Sequence, residues 1–315
     1  MTGDLRKPRA LAPGARVAVV SPASPFDVSE FDDGIGELRA LGFDPVWDER
    51  VFARCGFLSG DASLRASSFD EAWQRPDVHA LIAVRGGYGS VQILPLLDPV
   101  RLATNPRAFV GYSDLTSVLT FLICQCGIVA FHGPSVAGRL ARGVDAYDRH
   151  SFLASLTDPR PLGELTAASL QAIRAGDARG RLMGGTLTQL AAAAGTPYAL
   201  APWDDTILVL EDVAERPYRL DRMLTQLRLS GALTHVRGIV LGTFPRCGEP
   251  NGLLTAEGAL ADALADFRGP IVFGFPTGHV DGPAVTLPLG VSARLVAGRS
   301  DAGSAWAIDP PIVPR

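Results

Sequence analysis

The stretch Phe109-Val110-Gly111-Tyr112-Ser113-Asp114-Leu115-Thr116 decides the fold of this chain, because an apolar run ends there in a small turn and a second apolar segment begins. The pattern predicts a strand, a sharp turn with Ser113 at its apex, and an amphipathic helix over Leu115–Cys124. Such an elbow exposes the serine oxygen beside the N–H groups that begin the helix. Ser113 is therefore a candidate nucleophile, and the neighbouring amides are candidate donors to an oxyanion.

A simpler interpretation is that the Ser113 hydroxyl only caps the following helix. The elbow of the α/β-hydrolases carries glycine two residues after the serine, whereas this chain has Leu115 at that position. The local sequence therefore predicts an elbow but not the α/β-hydrolase fold. It leaves the role of Ser113 open between nucleophile and helix cap.

The elements around the elbow alternate between strand and helix. This alternation predicts an α/β fold with a parallel sheet covered on both faces, in which a functional site lies at the carboxyl ends of the strands. Ser21, Arg85, Gly86 and Ser113 all follow predicted strands. The predicted strands are Val17–Ser21, Phe43–Trp47, His79–Val84, Ala108–Gly111 and Ile128–Phe131, and the predicted helices are Ser29–Leu41, Ser63–Gln74, Val91–Leu97 and Leu115–Cys124.

A turn-rich segment divides the chain. We expect an N-terminal α/β domain over residues 1–150, a linker over 151–180 and a smaller C-terminal mixed α/β domain over 181–315. The loop Thr277–Gly290 is rich in glycine and proline. The elements predicted for the second domain are helices at Thr186–Ala194, Tyr218–Leu229 and Leu254–Phe267, and strands at Ile207–Leu210, Gly238–Phe244, Ile271–Phe275, Val291–Val296 and Ala305–Ile308.

The composition restricts the class of protein. The 315 residues are 47% hydrophobic and carry a net charge of −4, which predicts a large core and gives no reason to expect a nucleic-acid partner. Uncharged apolar runs long enough to span a membrane, and the apolar core of a secretory signal, are missing from the sequence. The four cysteines lack the spacing of metal ligands, so we expect reduced, mostly buried thiols of a cytoplasmic protein.

A serine nucleophile needs a base, and the base needs an orienting acid. His132 and His279 each follow a predicted buried strand and could reach a cleft at the strand ends. For the acid, Glu211 and Asp212 directly follow the apolar run Ile207–Leu210, where a charged pair is costly unless it is exposed or paired. Residue patterns alone do not choose between the two bases or between the two acids. Glu215, nearby, is equally consistent with a carboxylate favoured at a helix N-terminus.

The turn Arg85-Gly86-Gly87-Tyr88-Gly89 follows a predicted strand. Its glycines are consistent with a tight turn only, or with amides that approach a substrate oxygen. It lacks the spacing and the lysine of a phosphate-binding loop.

Several segments together resemble the LD-carboxypeptidases, serine peptidases related to the microcin-C immunity peptidases. The resemblance runs from Val17 to Leu295, and five motifs occur in the order of that family. The motifs are RGGYGS at 85–90, GYSDLT at 111–116, FHGP at 131–134, LED at 210–212 followed by RPYRLDRML, and Gly278-His279 followed by LPLG at 287–290.

The resemblance implies a catalytic triad of Ser113, Glu211 and His279. It also implies an N-terminal domain similar to class I glutamine amidotransferases, a second domain that carries the acid and the base, and an active site between them. The N–H of Asp114, with one from Gly86 or Gly87, would form the oxyanion hole. The implied protein is a cytoplasmic homodimer that needs no metal or organic cofactor.

The implied activity is removal of the terminal D-alanine from a murein tetrapeptide by cleavage of an L,D peptide bond. One alternative is a microcin-C-type immunity peptidase that cleaves a peptidyl or aminoacyl nucleotide. Such an enzyme is expected to stack an aromatic residue on the base, and the segment Thr157–Arg181 contains none. A non-catalytic ligand-binding module is the alternative from another class. Arg85 is a candidate for binding the substrate carboxylate, or else a structural partner of Glu211 or Glu215.

Overall fold

The computed structural model describes residues 4–165, 167, 169–201, 203–298, 305–308 and 310–314, and these form two compact units. The elbow unit contains residues 5–159, 282–288 and the described part of 311–315. The acid–base unit contains Asp4, Arg160–Asp281 and Leu289–Pro310, apart from the residues in these ranges that are not described. Among the described residues, no helix is long and apolar enough to cross a bilayer.

Fourteen strands and eight α-helices are assigned within the described ranges. The strands are β1 Arg16–Val20, β2 Asp44–Val46, β3 Ala80–Ala83, β4 Ala108–Gly111, β5 Ala130–His132, β6 Gly163–Leu165, β7 Gln171–Arg174, β8 Gly176–Thr186, β9 Thr206–Glu211, β10 Val236–Leu241, β11 Ile271–Phe273, β12 Leu287–Leu289, β13 Ser292–Ala297 and β14 Ala305–Ile308. The helices are α1 Val28–Ala40, α2 Ala62–Gln74, α3 Pro99–Thr104, α4 Thr116–Cys124, α5 Arg149–Thr157, α6 Leu187–Ala193, α7 Pro217–Leu229 and α8 Ala256–Ala263.

The sheet of the elbow unit has the order β12-β5-β4-β3-β1-β2. Strands β5, β4, β3, β1 and β2 pair in parallel, as the alternation of strands and helices predicts. All four residues of β3 and of β4 are buried, which explains why both read as continuous apolar runs. The parallel arrangement brings the carboxyl ends of β3 and β4, with the residues that follow them, to one edge of the sheet.

Aspartate side chains fix the starts of most helices in this unit. Each accepts a hydrogen bond from a backbone N–H in the first turn, so donors that lack a helical partner are satisfied. The capping residues are Asp27 of α1, Asp61 of α2, Asp98 of α3 and Asp148 of α5.

Helix α4, which follows the elbow, differs from the prediction in its environment. We expect an amphipathic helix there, but all nine residues from Thr116 to Cys124 are buried. Its polar side chains are small hydroxyls, including Thr116 and Thr120, which fit inside a core when they are hydrogen-bonded. The elbow therefore rests on a helix that the core surrounds on all sides.

The acid–base unit has an eight-stranded mixed sheet of order β6-β14-β13-β8-β9-β10-β11-β7. Strands β8, β9, β10 and β11 are parallel, and antiparallel strands flank them on both sides. Helix α7 confirms its predicted amphipathic pattern. Its buried residues are Pro217, Leu220, Met223, Leu224 and Leu227.

The segment 151–180, expected to be a linker, is largely structured. It contains most of α5, which lies in the elbow unit, and then β6, β7 and the first half of β8, and the units divide at residues 159–160. These strands are exposed or half-buried and have no apolar run of their own. Their pairing partners β11, β13 and β14 lie far along the chain, so no local pattern predicts them.

The C-terminal part of the chain also departs from expectation. The loop predicted over Thr277–Gly290 contains β12, which joins the sheet of the elbow unit, so the second domain is not one continuous segment. The helix predicted at Val91–Leu97 is a 3₁₀ helix over Ser90–Leu96 with Pro95 inside it. The four cysteines are free thiols, and three of them are buried, as expected.

Candidate active site

Ser113 lies at the apex of a strained turn. It follows β4 and begins a short 3₁₀ helix over Ser113–Leu115 that leads into α4. Its φ angle is 63°, a left-handed conformation that costs a residue other than glycine of order 1–3 kcal/mol. Tyr112 holds the N-cap position of this turn, so the capping role considered for Ser113 is not what the structure shows. Strain of this kind persists only where the surroundings impose it, and it presents the half-buried hydroxyl at the end of the strand.

The turn Arg85–Ser90, called the glycine turn below, lies directly against Ser113. A β-carbon at Gly86 would lie 3.0 Å from the Ser113 Cβ and 3.3 Å from its Oγ. No L-amino acid with a side chain fits there without displacing the serine. The glycines therefore do more than close a tight turn, because they allow backbone to approach the candidate nucleophile.

Asp114 links the elbow to the glycine turn through its side chain. The carboxylate is 1% exposed and accepts hydrogen bonds from the N–H of Ser90 at 2.8 Å and of Gly89 at 3.3 Å. The Ser90 hydroxyl donates to the Asp114 carbonyl at 2.7 Å. The sequence predicts a role only for the backbone N–H of Asp114, and it does not predict that the carboxylate anchors the glycine turn.

Arg85 begins the glycine turn and is exposed. Its Nη1 donates to the carbonyl of Pro25 at 3.1 Å. Among the described residues of the elbow unit, Arg85 forms no salt bridge. Glu215 pairs with Arg219, four residues later in the chain.

Glu211 and His279 meet inside the acid–base unit. Glu211 ends β9 and is fully buried, and its Oε2 lies 2.7 Å from Nδ1 of His279. The same oxygen accepts the backbone N–H of His279 at 2.7 Å, while the other oxygen accepts the Thr186 hydroxyl. The buried carboxylate therefore has hydrogen-bond partners on both oxygens, which offsets the cost of burying its charge.

Glycine at position 278 makes this approach possible. Its φ is 64°, and a β-carbon there would lie 2.3 Å from Cδ of Glu211. The Gly278-His279 pair in the sequence thus has a physical basis, because glycine lets the carboxylate reach both the backbone and the ring of the next residue. Thr186, the last residue of β8, was missed; its place just after a Gly-Gly pair at a strand end is the only signal the sequence offers.

Asp212 points to different partners. Its Oδ2 accepts the N–H and the hydroxyl of Thr188, both at 2.8 Å, at the start of α6. Burial raises the pKa of Asp212 to about 6, while its hydrogen bonds act in the opposite direction. The two neighbouring acids thus have separate environments: Glu211 contacts the histidine, and Asp212 fixes a helix start.

His132, the other candidate base, is 1% exposed and ends β5 in the elbow unit. Its ring makes an edge contact with that of Tyr112 at 6.3 Å between centroids. His279 is the candidate base that the structure places beside the buried carboxylate of Glu211.

The chemistry these groups can perform falls into two parts. A histidine whose Nδ1 faces a carboxylate has a fixed orientation, and its imidazolium form is stabilised, as a general base requires. A serine on a strained turn beside closely approaching backbone suits nucleophilic attack with amide stabilisation of an oxyanion. Ser113 belongs to the elbow unit, and Glu211 and His279 belong to the acid–base unit.

Comparison with known proteins gives a consistent result. The family models of the LD-carboxypeptidase N-terminal and C-terminal domains match residues 17–133 and 179–295. A murein tetrapeptide carboxypeptidase of Pseudomonas aeruginosa is 34% identical over 270 residues, which cover 84% of this chain and 88% of that protein.

Solved structures show the same fold. A muramoyltetrapeptide carboxypeptidase from Oxalobacter formigenes superposes with a TM-score of 0.82 at 30% identity, covering 95% of this chain and 100% of that one. The microcin C7 self-immunity protein in its wild-type apo state gives 0.88 at 23% identity, covering 98% and 100% of the two chains, a likeness that shows the fold alone. On the match of both family models and the relative at 34% identity, the chain belongs to the LD-carboxypeptidase family.

Proposed function

We propose that this protein is a serine carboxypeptidase that hydrolyses an L,D peptide bond and releases the terminal D-alanine of a murein tetrapeptide. The observation that carries the proposal is the pair of Glu211 and His279, with 2.7 Å between carboxylate and ring nitrogen, in a chain of this family. The Pseudomonas relative, named a murein tetrapeptide carboxypeptidase, supports the choice of substrate.

In the proposed reaction the Oγ of Ser113 attacks the carbonyl carbon of the scissile bond. Nε2 of His279 takes the serine proton as the C–O bond forms, and the carbonyl becomes an oxyanion. When the intermediate collapses, the C–N bond breaks and the imidazolium gives its proton to the leaving amine of the D-amino acid. A water activated by the same nitrogen then hydrolyses the acyl-enzyme and regenerates Ser113.

Glu211 would hold the imidazole through Nδ1 and stabilise its positive charge without taking the proton. The N–H of Asp114, together with that of Gly86 or Gly87, would bind the oxyanion. The close approach of Gly86 to Ser113 supports this assignment, because it brings backbone near the carbon atom that the serine attacks. Removing one such donor costs other enzymes roughly 10²–10³ in kcat.

The proposal includes Arg85 as the group that binds the free carboxylate of the substrate. Its exposed guanidinium, held by the Pro25 carbonyl at the start of the glycine turn, supports this role. Arg54 is a matched control, because it is also exposed and donates to the neighbouring carbonyl of Phe26 at 2.8 Å.

The function is tested by incubating the protein with murein tri-, tetra- and pentapeptides and with a tetrapeptide C-terminal amide, with products identified by mass. We expect tripeptide and D-alanine from the tetrapeptide only, and a loss of at least roughly 10³-fold in kcat for Ser113→Ala with the fold retained. Arg85→Ala, but not Arg54→Ala, should lose the preference for the free acid over the amide. An inert tetrapeptide, or near-normal turnover by Ser113→Ala, contradicts the proposal. The first result would favour a non-catalytic binding role, and the second would exclude Ser113 as the nucleophile.

A second arm of the test uses an aminoacyl-sulfamoyl adenosine, the class of substrate expected of an immunity-type peptidase. The fold likeness to the microcin C7 self-immunity protein is the reason to include it. The segment Thr157–Arg181 contains no aromatic residue to stack on a base, so we expect the nucleotide to be a poor substrate.

The proposal has consequences for architecture and assembly. The five parallel strands and the strained elbow support an architecture like that of class I glutamine amidotransferases for the elbow unit. A cytoplasmic location and a homodimer accompany the proposed function, on the resemblance to the family. Light scattering of the purified protein measures the oligomeric state directly.

A further inference from the structure

The glycine turn carries no regular hydrogen-bonding pattern of its own, although one of its amides, that of Gly86 or Gly87, is assigned to the oxyanion in the proposed reaction. Oxyanion stabilisation depends on donors that are already in place, and a displacement of about 1 Å at a reacting centre can cost about 10² in rate. Loops of this kind are mobile unless something holds them. Ser24 hydrogen-bonds to Gly86 and Tyr88 in the first part of the turn. Two buried charged side chains hold its other end, at Gly89 and Ser90.

Asp114 holds the turn from the side of the nucleophile. It is the residue after Ser113, and its buried carboxylate accepts the N–H groups of Gly89 and Ser90. A displacement of the elbow therefore moves the end of the glycine turn, and a displacement of the glycine turn moves the elbow.

Arg65 holds the turn from the side of α2. Its side chain is 2% exposed, and Nη1 donates to the carbonyls of Gly89 at 2.7 Å and of Pro22 at 2.6 Å. Nε donates to the carbonyl of Gly60 at 3.1 Å, and Nη2 donates to the side-chain oxygen of Gln92 at 2.7 Å. One guanidinium thus ties together three segments of chain, at Pro22, at Gly60 and at residues 89–92.

Gly89 is the point where the two charges act together. Its N–H faces the anion of Asp114 and its carbonyl faces the cation of Arg65, with no direct salt bridge between the two side chains among the described residues. Burial lowers the pKa of the Arg65 guanidinium, and the charge of Asp114 opposes that effect. Burying both charges is costly, and their hydrogen bonds to the backbone of the turn offset that cost, so each charge depends on the position of Gly89.

We propose that Arg65 and Asp114 are positioning residues that fix the glycine turn against Ser113, so that its amides are preorganised for the oxyanion. This inference rests on the proposed function, because it takes the reaction to be the proposed hydrolysis with an oxyanion intermediate. The role of the two side chains in holding the turn can be measured without any substrate.

The experiment compares Arg65→Met, Arg65→Lys and Asp114→Asn with a matched control, Arg107→Met. Arg107 is also a buried arginine of the elbow unit, 6% exposed, and donates to the carbonyls of Trp73 and Arg75 at 2.6 Å. It precedes β4, at the opposite end of the strand from Ser113. Each protein is studied well below its unfolding temperature by hydrogen–deuterium exchange of peptides that cover 85–92 and by tetrapeptide kinetics.

We expect Arg65→Met and Asp114→Asn to exchange the amides of the glycine turn at least about 10-fold faster. We also expect kcat to fall about 10-fold to 100-fold, with KM changed by less than about 3-fold. Arg65→Lys, which keeps the charge but loses the planar set of donors, should lie between Arg65→Met and wild type. The control should lose stability while its exchange at 85–92 and its kcat remain those of wild type.

Unchanged exchange at 85–92 in Arg65→Met overturns the claim that these residues hold the turn. Faster exchange with wild-type kcat overturns the claim that holding it serves the reaction, as does an equal fall in kcat for Arg107→Met. If the wild-type protein hydrolyses no tetrapeptide, the proposed function fails, and the exchange data alone then support or overturn the inference.

Discussion

At the scale of single residues, the distribution of roles between two adjacent carboxylates is the clearest physical result. Glu211 and Asp212 are both buried, but one faces a histidine and the other faces the start of a helix. Adjacent residues in a strand point to opposite faces, so two neighbouring acids cannot share one partner. The contact with His279 supports the proposed catalytic role of Glu211, whereas the contacts of Asp212 fix the start of α6.

Glu211→Gln should reduce kcat by about 10²–10⁴-fold, because it removes the charge that stabilises the imidazolium. The shape is kept, since the amide oxygen can accept from His279 while the amide nitrogen donates to Thr186. Asp212→Asn is the matched control, with an expected change in kcat of less than about 10-fold. Steady-state kinetics on the tetrapeptide measure both variants, and equal losses would show that the two acids act jointly.

Asp212 also predicts a dependence of stability on pH. Burial raises its pKa from 3.8 to about 6, so the folded protein binds its proton more tightly than the unfolded chain does. The stability that this provides is complete below about pH 4 and is lost as the pH rises through about 6. The unfolding free energy of wild type minus that of Asp212→Asn should therefore decrease by about 3 kcal/mol between about pH 4 and pH 7. Urea titrations across this range measure the difference, and a flat profile would contradict it.

At the scale of elements, α1 contains two glycines with opposite requirements. A β-carbon at Gly34 would lie 2.3 Å from the Val136 carbonyl oxygen, whereas nothing lies within 4 Å of a β-carbon at Gly36. Gly36→Ala should raise the unfolding free energy by about 0.5–1 kcal/mol, because alanine favours a helix. Gly34→Ala should lower it by about 1–3 kcal/mol through overpacking. Thermal and urea unfolding measure both, and two changes of the same sign would contradict the packing of α1.

The elements also show what a single sequence can and cannot predict. Strands β3, β4 and β9 are buried on both faces and therefore contain runs of apolar residues. Such runs can be recognised as strands from the sequence alone, without knowledge of the neighbouring strands. Strands β8 and β12 cannot be recognised from the sequence alone. β8 has the sequence GDARGRLMGGT and depends on β9 and β13 for its pairing, and β12 is three residues in a proline-rich loop.

The same limit applies to the candidate site. The elbow at Ser113 could be predicted because strand, turn and helix are consecutive in sequence. The meeting of Glu211 with His279 joins residues 68 positions apart, and residue patterns left His132 and Asp212 open until the family resemblance was considered. Arg65 and the Asp114 carboxylate gave no signal, because all their hydrogen-bond partners except the Gln92 side chain are backbone groups, which every sequence contains.

At the scale of the whole molecule, the chain passes between the two units repeatedly. It does so at residues 4–5, 159–160, 281–282, 288–289 and 310–311, so neither unit is a single segment. The insertion 282–288 leads into β12, which joins the sheet of the elbow unit, and it lies between strands β11 and β13 of the other sheet. When the elbow unit unfolds, the segment 282–288 is released, and this segment connects to β11 on one side and to β13 on the other, both in the acid–base unit.

This connectivity predicts one cooperative transition for the two units. Gly34→Ala, which disturbs the contact of α1 with Val136 inside the elbow unit, should lower the urea midpoint of the acid–base unit by the same amount as that of its own unit. Pulse-labelling hydrogen exchange at increasing urea follows β1 (16–20) and β9 (206–211) separately in the same sample. Independent units would keep β9 protected to the wild-type urea concentration while β1 unfolds earlier. We expect β1 and β9 to have the same urea midpoint in the wild type, and to share one lower midpoint in Gly34→Ala. The reason is that the segments that cross between the units lose their structure in both units when either unit unfolds.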